Sequence, residues 1–480
     1  MPLGESPLSG ARNESIKYVI FEFGRLSIVG WFLRLWYRLQ LNVFVRLCRS
    51  MPSVRAVILR RSEVLLDISP GISDFDLTII LNDHTYRFRF LRMLFPVING
   101  LLIATADELT HNHHLLGSTG TPRLLYGAPG FQMPNRQFNE LAISYSIMDL
   151  MKMAFWPKFL GIGAREIVPH FAVARASLKL ESLFLQLKTQ RVLPLRYPAA
   201  ISEITFSGIQ AYGILSTQFG NLSSEVIDRQ TMPMPIKVHS GPLEHLGRIH
   251  RDISELVLEA FNQAPVPIAE ISLSLFRLYH FAPLIIIVLD SNPSEREWTD
   301  LGSLLSPLGD TIQSLDLEIT PSFPLVFSPD TWRFWKTADP IFAMLHSQIS
   351  IPFGTSSSPL IHSIKYPEKA DWEFELAESI SAFQSSFRSG PTHYMMDLLL
   401  GRLIPTRLAL TEQKIFVSFQ KFFDDYLSKL SWTQNQRDIL DLYASGNHQA
   451  LDRIPIHKWV SVFNPFMDTE LKIATSVLRK

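Results

Sequence analysis

Residues 60–81 read R-R-S-E-V-L-L-D-I-S-P-G-I-S-D-F-D-L-T-I-I-L, a turn that runs straight into an apolar strand. Gly71-Ile72-Ser73 supplies the turn, and Asp76–Leu81 (DLTIIL) has the β-branched content of a buried strand. In an extended chain, residues i and i+2 point to the same side. Asp74 and Asp76 therefore present two carboxylates together, with Phe75 turned the other way into the core. Two hard oxygen donors at a strand entrance suit Mg²⁺, which takes one or two carboxylates plus substrate phosphates. Without a cation, adjacent carboxylates repel and one of them is pushed toward protonation.

The neighbouring segments extend this into a sheet. Val54–Leu59 (VRAVIL) reads as a buried strand upstream, and Gly100–Ala104 (GLLIA) as a third strand. Between them Phe88, Leu91 and Phe95 recur at helical spacing, predicting a helix over Phe88–Phe95. This alternation predicts a compact α/β sheet domain. From Phe138 to Leu160 the pattern is helical, with Ile143, Ile147, Leu150, Met151 and Ala154 on one face, and Ala172–Lys188 continues as helix. Proline-bearing stretches at 194–198 and 232–242 read as loops, followed by a helix at His250–Asn262. A second α/β module begins at Leu284–Leu289 (LIIIVL). It continues through a helix at Ser294–Leu305, with Glu295 and Glu297 in the first turn where acids favour the dipole, and a strand at Pro324–Phe327. Pro352–Pro359 (PFGTSSSP) is the clearest linker. Beyond it Trp372–Phe387, Tyr394–Leu400, Ile415–Leu430 and Gln436–Tyr443 are predicted helical.

The expected fold class is thus α/β + α: a mixed sheet domain, a second small α/β module and a helical C-terminal region. Its divisions are a disordered leader (1–15), the sheet domain with an N-terminal amphipathic helix (16–135), a mostly helical middle region (136–275), the small α/β module (276–358) and a helical C-terminal domain (359–480). No repeat of fixed period and no low-complexity segment interrupts them.

Composition narrows the function classes. The chain has 480 residues, 46% of them apolar and 11% aromatic, which supplies ample core and excludes a disordered or collagen-like protein. Its single cysteine, Cys48, can form no intramolecular disulfide and no cysteine zinc site. A reducing, cytoplasmic location is the expectation. Lys+Arg and Asp+Glu number 45 each, so no stable nucleic-acid partner is expected. The zero is an average, however. Residues 1–61 hold ten basic residues against three acids, a surplus of seven that residues 62–480 offset.

Much of that surplus sits in residues 26–48, LSIVGWFLRLWYRLQLNVFVRLC. Arg34, Arg38 and Arg46 interrupt every long apolar run, so a membrane span is not expected. On a helix, Phe32, Leu33, Trp36, Leu39, Val43, Phe44 and Leu47 fall on one wide side, with Arg34, Arg38, Asn42, Arg46 and Arg49 in the opposite third. Two readings follow: a helix packed on its own domain with a solvated arginine face, or peripheral membrane contact through residues 26–48.

Ser73-Asp74-Phe75-Asp76-Leu77, after the upstream Arg61-Ser62, resembles the DNA polymerase beta-type nucleotidyltransferase superfamily. Its bacterial branch contains aminoglycoside adenylyltransferases and many uncharacterised relatives. That superfamily carries a Gly-Ser turn after a strand, then Asp-x-Asp on the next strand, then a third carboxylate. The resemblance implies that Asp74 and Asp76 are catalytic metal ligands for Mg²⁺ and that Ser62 contacts the nucleotide phosphates. Arg61, in the place of the turn glycine, would contact or obstruct a triphosphate, with ATP the expected nucleotide. Phe95–Gly100, Asp107-Glu108-Leu109 and Leu399–Leu410 (LLGRLIPTRLAL) are also similar to some relatives. The specific motif covers about twenty residues and the looser similarity about a third of the chain. Two departures stand out. Arg61 replaces the glycine that lets backbone approach phosphate, and Gly100–Ala104 carries no acid, Asp107 and Glu108 lying just beyond it.

Other constellations are weaker. His111, His113 and His114 sit together without a partner ligand at metal-site spacing, and His245 and His250 are a poor match to one helix face. No nucleophile elbow, phosphate-binding Gly-x-x-x-x-Gly-Lys loop or His-Glu-x-x-His occurs. No lysine lies between Lys17 and Lys152, so arginines such as Arg60, Arg61, Arg123 and Arg136 would do any phosphate binding in the first domain. The expected activity is metal-dependent transfer of a nucleoside monophosphate to an unidentified hydroxyl acceptor. The alternative is a catalytically degenerate nucleotidyltransferase-like binding or scaffold protein.

Overall fold

Val54–Leu59 (β1) and Asp76–Leu81 (β2) form an antiparallel pair in register Leu59↔Leu77 and Val57↔Ile79. Gly100–Thr105 (β3) adds parallel to β2, and Arg123–Gly127 (β4) adds antiparallel to the other edge of β1. The result is a mixed four-stranded sheet in the order β3-β2-β1-β4. The computed structural model describes residues 20, 23–24, 26–65, 68, 75–82, 95, 97–98, 100–106, 109, 113–116, 121–134, 138–155, 167–193, 205–224, 234–235, 237–239, 253, 255–262, 264–274, 284–314, 324–349, 351–353, 367–386, 392–416, 419–445 and 448–479. The predicted helix Phe88–Phe95 lies outside them except for Phe95, and the leader 1–15 lies outside entirely.

Strand alternation sorts this sheet's side chains onto two faces. Val57, Leu59, Leu77, Ile79 and Leu81 pack with Phe75 and Phe95 beneath helix α1 (Ser27–Arg49). Ala56, Ile58, Ile80 and Ala104 meet Leu109, Leu115 and Leu116 on the other side. The helix enters the first core through Tyr37, Leu41, Phe44 and Cys48, with Phe44 and Phe95 edge to face at 5.3 Å. This corrects the sequence reading of α1. Of the wide apolar side only Phe44 is fully buried, whereas Phe32, Trp36, Leu39, Val43 and Leu47 are exposed. The helix packs through a neighbouring strip that contains the smaller and more polar Gly30, Tyr37, Gln40 and Cys48.

The chain divides into two compact units. The first holds this sheet and comprises 1–143, 185–201 and 377–395; the second comprises 144–184, 202–376 and 396–480. Helices Glu140–Phe155 (α2) and His170–Thr189 (α3) fall where the helical periodicity predicts them. Two short strands, Ile167–Pro169 (β5) and Thr205–Ser207 (β6), pair antiparallel in the second unit. Lys237–His239 (β7) occupies part of the stretch 232–242 read as loop.

A second mixed sheet orders the second unit. Leu284–Leu289 (β9) is at its centre, antiparallel to Ile268–Ser274 (β8) and parallel to Leu325–Phe327 (β10), and Ile351–Phe353 (β11) pairs with β8. The strand order is β10-β9-β8-β11. Helix α4 (Gly208–Ser223) starts at a capping box between Ser207 and Gln210. It packs on α5 (Glu295–Ser314) at Gly213, where a Cβ would collide with Thr299 Oγ1. The α5 start is capped as its first-turn acids suggest: Glu297 accepts from the Ser294 amide and hydroxyl at 2.8 Å, and these bonds hold it below the usual carboxylate range. Helices α6 (Pro329–Ala338) and α7 (Pro340–Ile349) add an aromatic cluster of Phe327, Trp332, Trp335 and Phe342.

The C-terminal region is helical, with α8 (Lys369–Ser386), α9 (Ile404–Glu412), α10 (Gln434–Ala444) and α11 (Ile456–Leu478). A π-helical segment, Asp397–Leu403, leads into α9. Lys414–Phe416 (β12) breaks the helix expected over Ile415–Leu430, because it pairs parallel with β7. Among the described residues no helix is long and apolar enough to cross a membrane.

Candidate functional site

The register of the first hairpin builds this site. Leu59 faces Leu77, so the residues that follow β1 arrive beside the one that opens β2. The Arg60 amide donates to the Asp76 carbonyl at 2.9 Å, which extends the ladder by one step. From there Arg61 Nη2 donates to Asp76 Oδ2 at 2.5 Å, and Arg60 Nη2 lies 3.5 Å from Asp76 Oδ1. The three side chains are 21%, 17% and 25% exposed for Arg61, Arg60 and Asp76, so water only partly screens the pairs. Burial pulls the Arg60 pKa down, the Asp76 charge opposes that shift, Arg61 adds to it and Glu378 opposes it again. Two guanidinium groups thus meet the one Asp76 carboxylate, with the Glu378 charge also acting on Arg60.

The predicted residues divide between those brought together and those outside the described set. Phe75 is buried in the core and Asp76 is on the partly exposed side, as strand alternation requires. Ser62 opens a 3-10 turn, Ser62–Leu65, and its amide donates to the Thr121 carbonyl at 2.9 Å. That amide therefore ties the turn to the approach of β4. Asp74, Asp107, Glu108, His111, His245 and His250 lie outside the described residues, as do the side chains of His113 and His114. Strand β3 pairs Gly100 with Asp76 and Leu102 with Thr78, and none of its six residues is an acid.

Of the two expected Mg²⁺ ligands only Asp76 is among the described residues, and its surroundings do not suit a divalent cation. Both oxygens of Asp76 face guanidinium groups, and a divalent cation at that carboxylate would stand beside two positive charges. Among the described residues no group of three His, Cys, Asp or Glu is placed to hold a metal ion. A hollow of about 250 Å³ beside the same sheet is lined by Arg55, Leu109, Gly130, Phe131 and Gln132 and contains none of the motif residues.

Sequence reasoning places Arg60 only among the available cations and passes over Thr121. The doublet Arg60-Arg61 directly after one strand, with an acid heading its antiparallel neighbour, is the signal available for the ion pair.

The second unit contains a different polar cluster. Ser272 Oγ and His346 Nε2 are 2.9 Å apart, in a region that also contains Glu270 and Lys336, all four buried. Burial and then the Lys336 charge lower the His346 pKa to about 4, so the imidazole is neutral. Burial raises the Glu270 pKa and the Lys336 charge opposes it.

No family model, curated protein or solved structure matches the chain.

Proposed function

We propose that the first unit is a nucleotidyltransferase-like sheet domain that no longer performs metal-dependent transfer and serves as a binding and scaffold module. The antiparallel β1-β2 pair, the parallel β3 and the acid at the head of β2 support the resemblance. One observation carries the loss of catalysis: Asp76 is bonded to Arg61 and paired with Arg60, while its partner strand β3 brings no carboxylate. A catalytic aspartate in such chemistry must give its oxygens to the metal that neutralises charge developing on the phosphates. Here those oxygens meet arginines, and the Ser62 amide meets the Thr121 carbonyl.

Calorimetric titration of the full chain with each of the four nucleoside triphosphates in Mg²⁺ tests this reading. It predicts no saturable heat and no pyrophosphate release. The catalytic reading, with Mg²⁺ and ATP held at Asp74, Asp76, Arg61 and Ser62, predicts the opposite. Saturable binding of any triphosphate, with turnover lost in Asp76→Ala, would overturn the proposal.

A further inference from the structure

Helix α1 has two apolar faces, and its own domain uses one. Tyr37, Leu41, Phe44 and Cys48 are buried against the sheet, none more than 7% exposed. On the outward side Ile28, Trp31, Phe32, Leu35, Trp36 and Leu39 are each at least half exposed, Ile28 reaching 71%. These six recur at helical spacing and form one contiguous ridge over about three turns, roughly 17 Å long. An apolar ridge of this kind marks an interaction surface rather than ordinary scattered exposure.

Charge selects the occupant. The helix carries Arg34, Arg38, Arg46 and Arg49 and no acid. Arg46 follows Ile28 by eighteen residues, five full turns, so it continues the line of the ridge and does not lie opposite Phe32, Trp36 and Leu39 as the sequence reading has it. Arg38 and Arg49 flank that line, and Arg38 is also exposed while donating to the Leu65 carbonyl at 3.2 Å. Two copies of the ridge packed together would bring six arginines, Arg38, Arg46 and Arg49 from each, to one interface with no carboxylate from either helix. An anionic lipid surface supplies both an apolar layer for the ridge and negative headgroups for the arginines. Trp31 and Trp36 are the side chains that settle at headgroup depth. With no helix among the described residues able to cross a bilayer, the contact is one along the surface.

We propose that α1 docks the protein on anionic membranes, its Ile28–Leu39 ridge in the acyl boundary and its arginines on the headgroups. The inference is independent of the nucleotidyltransferase reading. It is tested by co-sedimenting the full chain with vesicles of equimolar phosphatidylcholine and phosphatidylserine, and with phosphatidylcholine alone. Pelleting is expected with the anionic vesicles and is weakened by salt. Arg46→Gln with Arg49→Gln should lower affinity about thirtyfold, at roughly 1 kcal/mol for each arginine near the surface. Trp31→Ser with Trp36→Ser should lower it at least about tenfold. These side chains lie outside the buried core, so unchanged circular-dichroism melting would show that either variant still folds. Equal binding to neutral vesicles, or none to anionic ones, would overturn the proposal. A dimer in sedimentation velocity that dissolves in the tryptophan variant, without vesicle binding, would also overturn it and assign the ridge to a second copy.

Discussion

Asp76 shows what an unbalanced ion pair would cost this sheet. Removing its carboxylate takes from Arg61 its hydrogen bond at 2.5 Å and from Arg60 its ion pair at 3.5 Å, and removing Arg61 takes the shorter of these two contacts from the carboxylate. A hydrogen bond to a charged group contributes about 2 kcal/mol. Asp76→Ala and Arg61→Ala should each destabilise the protein by about that amount in chemical denaturation, while the double variant costs much less than the two losses combined. Cys48 makes a sharper single-residue prediction. It is fully buried on the core-facing side of α1, and burial pushes its thiol up to about 12. A thiol reagent should leave the native protein unmodified at neutral pH and label it once denaturant opens the core. Phe75 and Asp76 were legible in the sequence because strand alternation fixes their sides. The arginine partners were not, because they depend on which residues a hairpin register brings together.

The legibility of the larger pieces followed the same logic. Strand β9 is a continuous apolar run and β1, β2 and β3 are mostly apolar, and all four match their predicted positions within a residue. Strand β8 is not legible because Glu270 and Ser272 interrupt its apolar pattern; both are buried, with His346 Nε2 2.9 Å from Ser272 Oγ and the Lys336 charge acting on Glu270. Helix α11 lies within the C-terminal region expected to be helical but is not delimited there, and it runs through Pro465. Two buried groups, on the π-helical segment and on α7, should shape stability against pH in opposite senses. Burial raises Asp397, at the head of the π-helical segment, to about 7; a hydrogen bond from Tyr443 opposes the rise and the Asp452 charge adds to it. In the unfolded chain the group ionises near 4. The folded state therefore holds the extra proton between about pH 4 and 7, and its contribution fades as pH rises through that window. Asp397→Asn should be more stable than the parent at about pH 8, by at most about 4 kcal/mol, and nearly equal to it near pH 4. His346 has the reverse sense. Its folded value of about 4 lies below the ordinary 6.5, so stability is present above 6.5 and lost as pH falls toward 4. His346→Gln should flatten that acid limb in melting curves taken across the window.

Taken as one molecule, the chain separates its charge as the sequence indicated. The basic surplus of residues 1–61 divides between α1, where Arg46 and Arg49 extend an outward apolar ridge, and the close of β1, where Arg60 and Arg61 hold Asp76. Patterning alone could place the arginines along α1 but not say which apolar face the domain would cover, because both faces carry enough apolar area. The fate of Asp76 is the point on which catalysis turns. It is tested most directly by the free-ion Mn²⁺ signal in electron paramagnetic resonance, Mn²⁺ standing in for Mg²⁺ at oxygen donors. The full chain and Asp76→Asn would each be measured against protein-free solutions of the same Mn²⁺ and ATP. Arginines holding Asp76 predict that neither protein reduces the signal below its protein-free value. A reduction by the parent chain that Asp76→Asn abolishes would show Asp76 serving a metal and would contradict the loss of metal-dependent transfer.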